Sequence, residues 1–159
     1  MVNTLAHTTE GGLIFPFEEM PAFGEVVEVF KDVLWTRIPL PYRLDHVNIY
    51  LIRDGDGWAL VDTGIQTDAA KSVWENLFAG PLKSGKVTKV IVTHHHPDHI
   101  GLAGWLCERF DAPLLTSYST YMGSKVISHG SHEDVTRYNF DFYMSHGMSE
   151  EGAGIVAIQ

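Results

Sequence analysis

The stretch "THHHPDHIG", residues 93–101, packs four histidines and an aspartate into the six positions from 94 to 99. The whole chain has nine histidines in 159 residues, so the density is local. Imidazole nitrogen and carboxylate oxygen are the donors that divalent metal ions take from proteins. His94 and His96 are two positions apart. In an extended segment they point to the same side, and both can reach one ion. Pro97 then ends the extended run and suits the first position of a helix, where its missing N–H leaves nothing unpaired. Asp98 and His99 follow on that turn and can face a second ion, roughly 3.5–4 Å from the first in dinuclear hydrolases. Nitrogen donors with one carboxylate favour zinc, and iron and manganese accept the same set. Asp98 is also the candidate to accept a hydrogen bond from an attacking water. His95 lies between two ligands and is expected to turn away from them.

The elements on either side must present these groups. "KVTKVIVT" is an apolar run that predicts a buried strand, and "DHIGLAGWLCERF" carries Ile100, Ala103, Gly104, Cys107 and Phe110 at helical spacing. The cluster thus falls at the carboxyl end of a strand, where open α/β sheets place their sites. Upstream, "VNIYLIRDGDGWALVDTG" reads as a hairpin with a DG-type turn. Its second strand ends on Asp62. A carboxylate at the end of an apolar strand needs a partner, and the N–H of a ligating imidazole would serve while fixing its tautomer. "TDAAKSVWENLFAG" predicts a helix that Thr67 or Asp68 can cap and Gly80 and Pro81 stop. "EVVEVFKDVLWTRIPL" predicts two short strands with a turn at "KD". Residues 1–24 read as a loop-like extension, and 117–159 as a helical segment. Strands alternate with helices from residue 47 onward, which gives an α/β or α+β class.

The bulk composition is globular, with 45% apolar and 19% charged residues. The formal net charge is −9, which disfavours nucleic acid and anionic membranes as partners of the general surface. Cys107 has no second cysteine to pair with, which fits a reducing compartment. The first residues show no basic leader, and no run reaches the roughly 18 apolar residues of a membrane span. The expectation is a cytoplasmic protein acting on a small molecule.

"THHHPDHIG", with "NIYLI…ALVDTG" about thirty residues before it, resembles the paired motifs of the metallo-β-lactamase superfamily and its H-x-H-x-D-H signature. The resemblance implies an αββα sandwich of two similar halves, with His94 and His96 on one metal and Asp98 and His99 on the other. Asp62 would stand beside them as a supporting group. It further implies a metal-dependent hydrolase with two zinc ions per intact site. The stretch from Tyr118 to Gly147 resembles the helical insertion of the hydroxyacylglutathione hydrolase-like (glyoxalase II-like) branch, which suggests a thioester, ester or lactone substrate.

The family's later ligands include a histidine in a Gly-His-(Thr/Ser)-x-Gly-His stretch, and this sequence holds no such stretch. The chain is therefore expected to be a single partial domain over 1–159, with residues 25–116 as the β-rich half that carries the metal motif and connecting helices after it. Alone, it is expected to be inactive and to leave one sheet face for another copy or for a missing C-terminal half. Two rival readings are a non-catalytic, truncated or degenerate metal-binding module and an iron-dependent sulfur dioxygenase. If the chain held its metals unaided, the remaining ligands would have to come from His46, His129, His132 and His146.

Overall fold

A computed structural model describes residues 8–10, 13–17, 19–83, 85–129 and 132–157. The chain divides into two compact units, 1–120 and 121–159. In the first, β1 (Thr8–Glu10) and β2 (Leu13–Phe15) pair antiparallel. The loop-like reading of residues 1–24 is corrected here: "TTE" and "LIF" are β-branched and aromatic enough to pair despite the breakers around them.

Six further strands form the main sheet: β3 (Val27–Phe30), β4 (Val33–Pro39), β5 (His46–Asp54), β6 (Gly57–Val61), β7 (Lys86–Ile91) and β8 (Leu114–Leu115). They lie in sequence order. β3 to β6 form an antiparallel meander, and β7 and β8 join parallel. Parallel neighbours need crossovers. Helix α1 (Asp68–Ala79) makes the first, and α2 (Pro97–Ile100) with α3 (Ala103–Phe110) makes the second. The result is a mixed α/β architecture.

The pleat decides what is buried. Along β5, Val47, Ile49 and Leu51 face inward while Asn48, Tyr50 and Ile52 are exposed. Ile38, Ile49, Leu51, Leu60 and Val90 of the sheet pack with Trp74 and Leu77 of α1 and with Leu102 and Leu106, all fully buried. Each such side chain contributes about 1.5–3 kcal/mol. On the opposite face, cross-strand partners Val27, Trp35, Tyr50, Val61, Ile91 and Leu115 form one row across all six strands. Tyr50 is 40% exposed and Leu115 43%.

Thr67 caps α1, its hydroxyl accepting from the Ala70 N–H, and the helix ends at Gly80. The single helix expected over 98–110 is two. The break falls at Gly101–Leu102, where the Leu102 N–H leaves the helical ladder and donates to the Gly64 carbonyl (3.1 Å) and the Thr63 hydroxyl (3.2 Å). An outside acceptor at the 63–64 turn outcompetes the helical one, and spacing alone does not reveal it.

Helix α4 (Tyr118–His129) crosses the boundary between the units. The second unit holds α5 (His132–Ser145) and α6 (Glu150–Ala157), which buries Ala153 and Ala157. Gly147, at φ 88°, follows the end of α5 in the left-handed conformation that glycine takes without strain. Among the described residues, no helix is long and apolar enough to cross a membrane.

Candidate metal centre

Two chain segments build the site. The first is the turn after β6. Asp62 adopts φ 64° and Gly64 φ 89°. A Cβ on Gly64 would come 2.5 Å from Ile38 Cγ2, so glycine is needed for space as well as conformation. The left-handed conformation costs a residue such as Asp62 about 1 kcal/mol. Its side chain offsets that cost. The Asp62 carboxylate is buried and accepts from every side: the Thr93 N–H (2.8 Å), the Thr93 hydroxyl (2.8 and 3.0 Å) and His99 Nδ1–H (2.8 Å). The Asp62 N–H donates to the Ile91 carbonyl, which keeps β6 and β7 together up to the site.

Thr63 grips the second segment by its backbone. Its N–H (2.9 Å) and its hydroxyl (2.7 Å) both donate to the carbonyl of His99. The fully buried Trp74 indole N–H donates in turn to the Thr63 carbonyl at 2.7 Å. His99 is thus held twice, its ring by Asp62 and its main chain by Thr63. Gly101 permits this approach. A Cβ there would meet Pro97 O at 2.5 Å, Gln66 N at 2.7 Å and Gly64 O at 3.0 Å, all backbone atoms.

The second segment is the cluster itself. His96 is extended (φ −62°, ψ 144°) and Pro97 opens α2. The rings of His94 and His99 lie 4.0 Å apart between centroids, and those of His94 and His96 lie 4.5 Å apart. Asp98 Oδ2 stands 3.4 Å from His99 Nε2. The structure therefore brings His94, His96, Asp98 and His99 together, with Asp62 beneath His99. The His95 ring sits 5.4 Å from that of His96. Burial, followed by the neighbouring His99 and His96, lowers the His94 pKa below the ordinary imidazole value of 6.5. That favours the neutral ring, the form that ligates metals.

Asp62 occupies Nδ1 of His99, so its free nitrogen is Nε2, the one that faces Asp98. Three imidazoles and one carboxylate are a zinc-type donor set. Among the described residues, no three His, Cys, Asp or Glu side chains already surround one point at ligand spacing. A donor set divided as two and two would leave each ion short of the usual three protein ligands.

The remaining histidines are otherwise engaged or undescribed. His46 Nδ1 pairs with Asp45 at 2.6 Å, and this hydrogen bond lowers the Asp45 pKa. His146 Nδ1 meets the Phe142 carbonyl at 2.8 Å. The side chains of His129 and His132 lie outside the described residues. Cys107 sits half-buried on α3, and burial pushes its thiol pKa up.

Sequence reasoning gave no role to Thr63, Thr93, Trp74 or Gly101. The first two stood inside the quoted motifs, so position could have pointed to them. Gly101 also closes the quoted histidine motif, but its role, like that of Trp74, depends on a partner brought in by the fold.

A meander running into parallel strands, with a histidine-rich turn clamped to an Asp-Thr-Gly turn, defines an αβ metallo-hydrolase-type fold. The pattern of the metallo-beta-lactamase superfamily matches residues 42–127, more than half of the chain, and the chain belongs to that superfamily. A beta-lactamase domain protein from Burkholderia ambifaria superposes with a TM-score of 0.70 at 37% identity, over 84% of this chain and 39% of its own. A metallo-beta-lactamase family protein from Thermus thermophilus gives 0.61 at 28% identity, over 81% of this chain and 42% of its own. Among curated relatives, the probable metallo-hydrolase YqjP of Bacillus subtilis is 40% identical over 73 residues, which is 45% of this chain and 23% of that protein. Ribonuclease Z of Oenococcus oeni is 36% identical over 72 residues, 45% of this chain and 19% of that protein. The matches thus span about a fifth to two fifths of these relatives' own lengths. The family's name implies metal ions.

Proposed function

We propose that this chain supplies the first metal-ligating half of a metal-dependent hydrolase. The observation that carries the reading is the placement of the His96 and His99 rings 4.5 and 4.0 Å from that of His94, with His99 Nδ1 taken by buried Asp62 and its Nε2 turned to Asp98. His94 and His96 would hold one ion, and Asp98 and His99 the second. Zinc suits these donors best, with iron or manganese as alternatives. Bound ions would lower the pKa of a water toward about 7 and polarise the substrate's carbonyl or phosphoryl oxygen.

The chain's own residues prepare that chemistry. Asp62 fixes the His99 tautomer and ring plane, which raises its basicity as a ligand. Asp98 offers a second carboxylate oxygen to orient a water. The downward shift of the His94 pKa, caused first by burial, favours the neutral ring that binds metal.

The substrate is read as a small thioester, ester or lactone, from the resemblance of the helical segment after Ser117. A phosphodiester is the second reading, favoured by the similarity to ribonuclease Z. The net charge of −9 weighs against a nucleic acid partner. A cytoplasmic setting goes with the single cysteine, which fits a reducing compartment.

The test is equilibrium dialysis against zinc, with elemental analysis of wild type and His94→Ala. It is paired with hydrolysis assays on a thioester, a lactone, an ester and a phosphodiester. Zinc retained equally by both proteins would refute the ligand assignment. Turnover of the phosphodiester alone would select the second reading.

A further inference from the structure

Thr93 stands between the two segments and touches both. Its hydroxyl lies 2.8 and 3.0 Å from the oxygens of Asp62 and 3.0 Å from His94 Nδ1. A hydroxyl has one proton to give. Asp62 already accepts from the Thr93 N–H and from His99 Nδ1–H, so it acts as an ionised acceptor with no proton to return. The Thr93 proton therefore goes to Asp62. Its oxygen is left with lone pairs only, and the contact with His94 holds if His94 Nδ1 carries the proton.

We propose that Thr93 is a positioning residue that relays the Asp62 carboxylate to His94, fixing His94 as the Nδ1–H tautomer and leaving Nε2 as its free donor. One buried carboxylate then sets two imidazoles alike: His99 by direct contact and His94 through one intervening hydroxyl. The Thr93 N–H to Asp62 bond holds the relay in register, because it survives any change at the side chain.

This inference rests on the reading of His94 as a ligand only for its purpose, not for its geometry. The test is the nitrogen-15 NMR signature of His94 in the metal-free chain, which separates Nδ1–H from Nε2–H directly. It is run on wild type, Thr93→Ser and Thr93→Val. Nδ1–H is expected in wild type and in the serine variant, which keeps the hydroxyl. In the valine variant the ring is expected to shift toward Nε2–H, with the His99 signals unmoved.

A zinc titration of the same samples should show binding weakened about 10- to 100-fold by valine, the usual loss when a ligand's supporting hydrogen bond is removed, and restored by serine. Nε2–H at His94 in wild type overturns the proposal, and so does Nδ1–H persisting in the valine variant. If the valine variant does not fold, the wild-type tautomer decides alone. The predicted tautomers without any zinc binding would sink the metal reading and leave the relay standing.

Discussion

Replacing Gly101 by alanine sets two effects of opposite sign against each other. Gly101 has helical dihedrals, φ −55° and ψ −37°. On backbone propensity alone, alanine should stabilise by up to about 1 kcal/mol. The added Cβ, however, would lie 2.5 Å from Pro97 O, 2.7 Å from Gln66 N and 3.0 Å from Gly64 O. These are backbone atoms of two segments and cannot rotate away. Overpacking of this kind costs about 1–3 kcal/mol. Relief requires α2 to move off the 64–66 turn, which stretches the shared Leu102 N–H bond to Gly64 O and the Thr63 hydroxyl, a further loss of about 1 kcal/mol. The steric side wins, with a net destabilisation of about 1–3 kcal/mol. At about 3 °C per kcal/mol for a chain of this size, Tm should fall by roughly 3–9 °C. Urea unfolding followed by tryptophan fluorescence would measure the change, since Trp74 reports on this turn through Thr63. A Gly101→Ala variant as stable as wild type, or more so, would refute the reasoning.

Asp62→Asn should weaken zinc binding about 10- to 100-fold, because the Thr93 N–H and His99 Nδ1–H bond different carboxylate oxygens and the one amide oxygen cannot accept from both; competition with a chromophoric chelator reads this, and unchanged affinity counts against Asp62 as the supporting group. His96→Ala should lose bound metal while His95→Ala keeps it, as elemental analysis of the dialysed proteins will show; equal losses in the two would undo the assignment. The Cys107 thiol, its pKa raised by burial above the ordinary value of 9.0, should react slowly with iodoacetamide at neutral pH and speed up on unfolding; mass spectrometry with and without urea measures the contrast, and equal rates would contradict the packing of α3.

The strands β3 to β7 and the first helix were legible because each obeys a local rule. Alternation fixes the inward face of β5, Thr67 caps α1, and the run of turn residues marks the hairpin, although the two that turn it are Gly55 (φ 62°) and Asp56 rather than an Asp-Gly pair. The candidate cluster was legible for the same reason, since His-x-His in an extended run needs no tertiary information to share a side. Two things lay beyond reach. The division of 98–110 into two helices depends on an acceptor at Gly64, and the residue spacing carries no trace of it. The strands near the N-terminus were hidden by the glycines and prolines around them, which outweigh three-residue β-prone runs in any window.

The clamp between the Asp-Thr-Gly turn and His99 joins residues 36 and 37 positions apart. Closing a chain segment of that length costs entropy before the first clamp bond repays it. Here the closure requires β6 and β7 to lie parallel, a non-local pairing of the kind that forms slowly. A peptide carrying "THHHPDHIG" alone would be a floppy chelator, with its imidazoles free to turn. Their mutual orientation is a product of the completed topology, so the cluster should acquire its geometry late on the folding pathway. The time course of metal-competent protein after dilution from denaturant would then follow assembly of the parallel strands rather than formation of the hairpins.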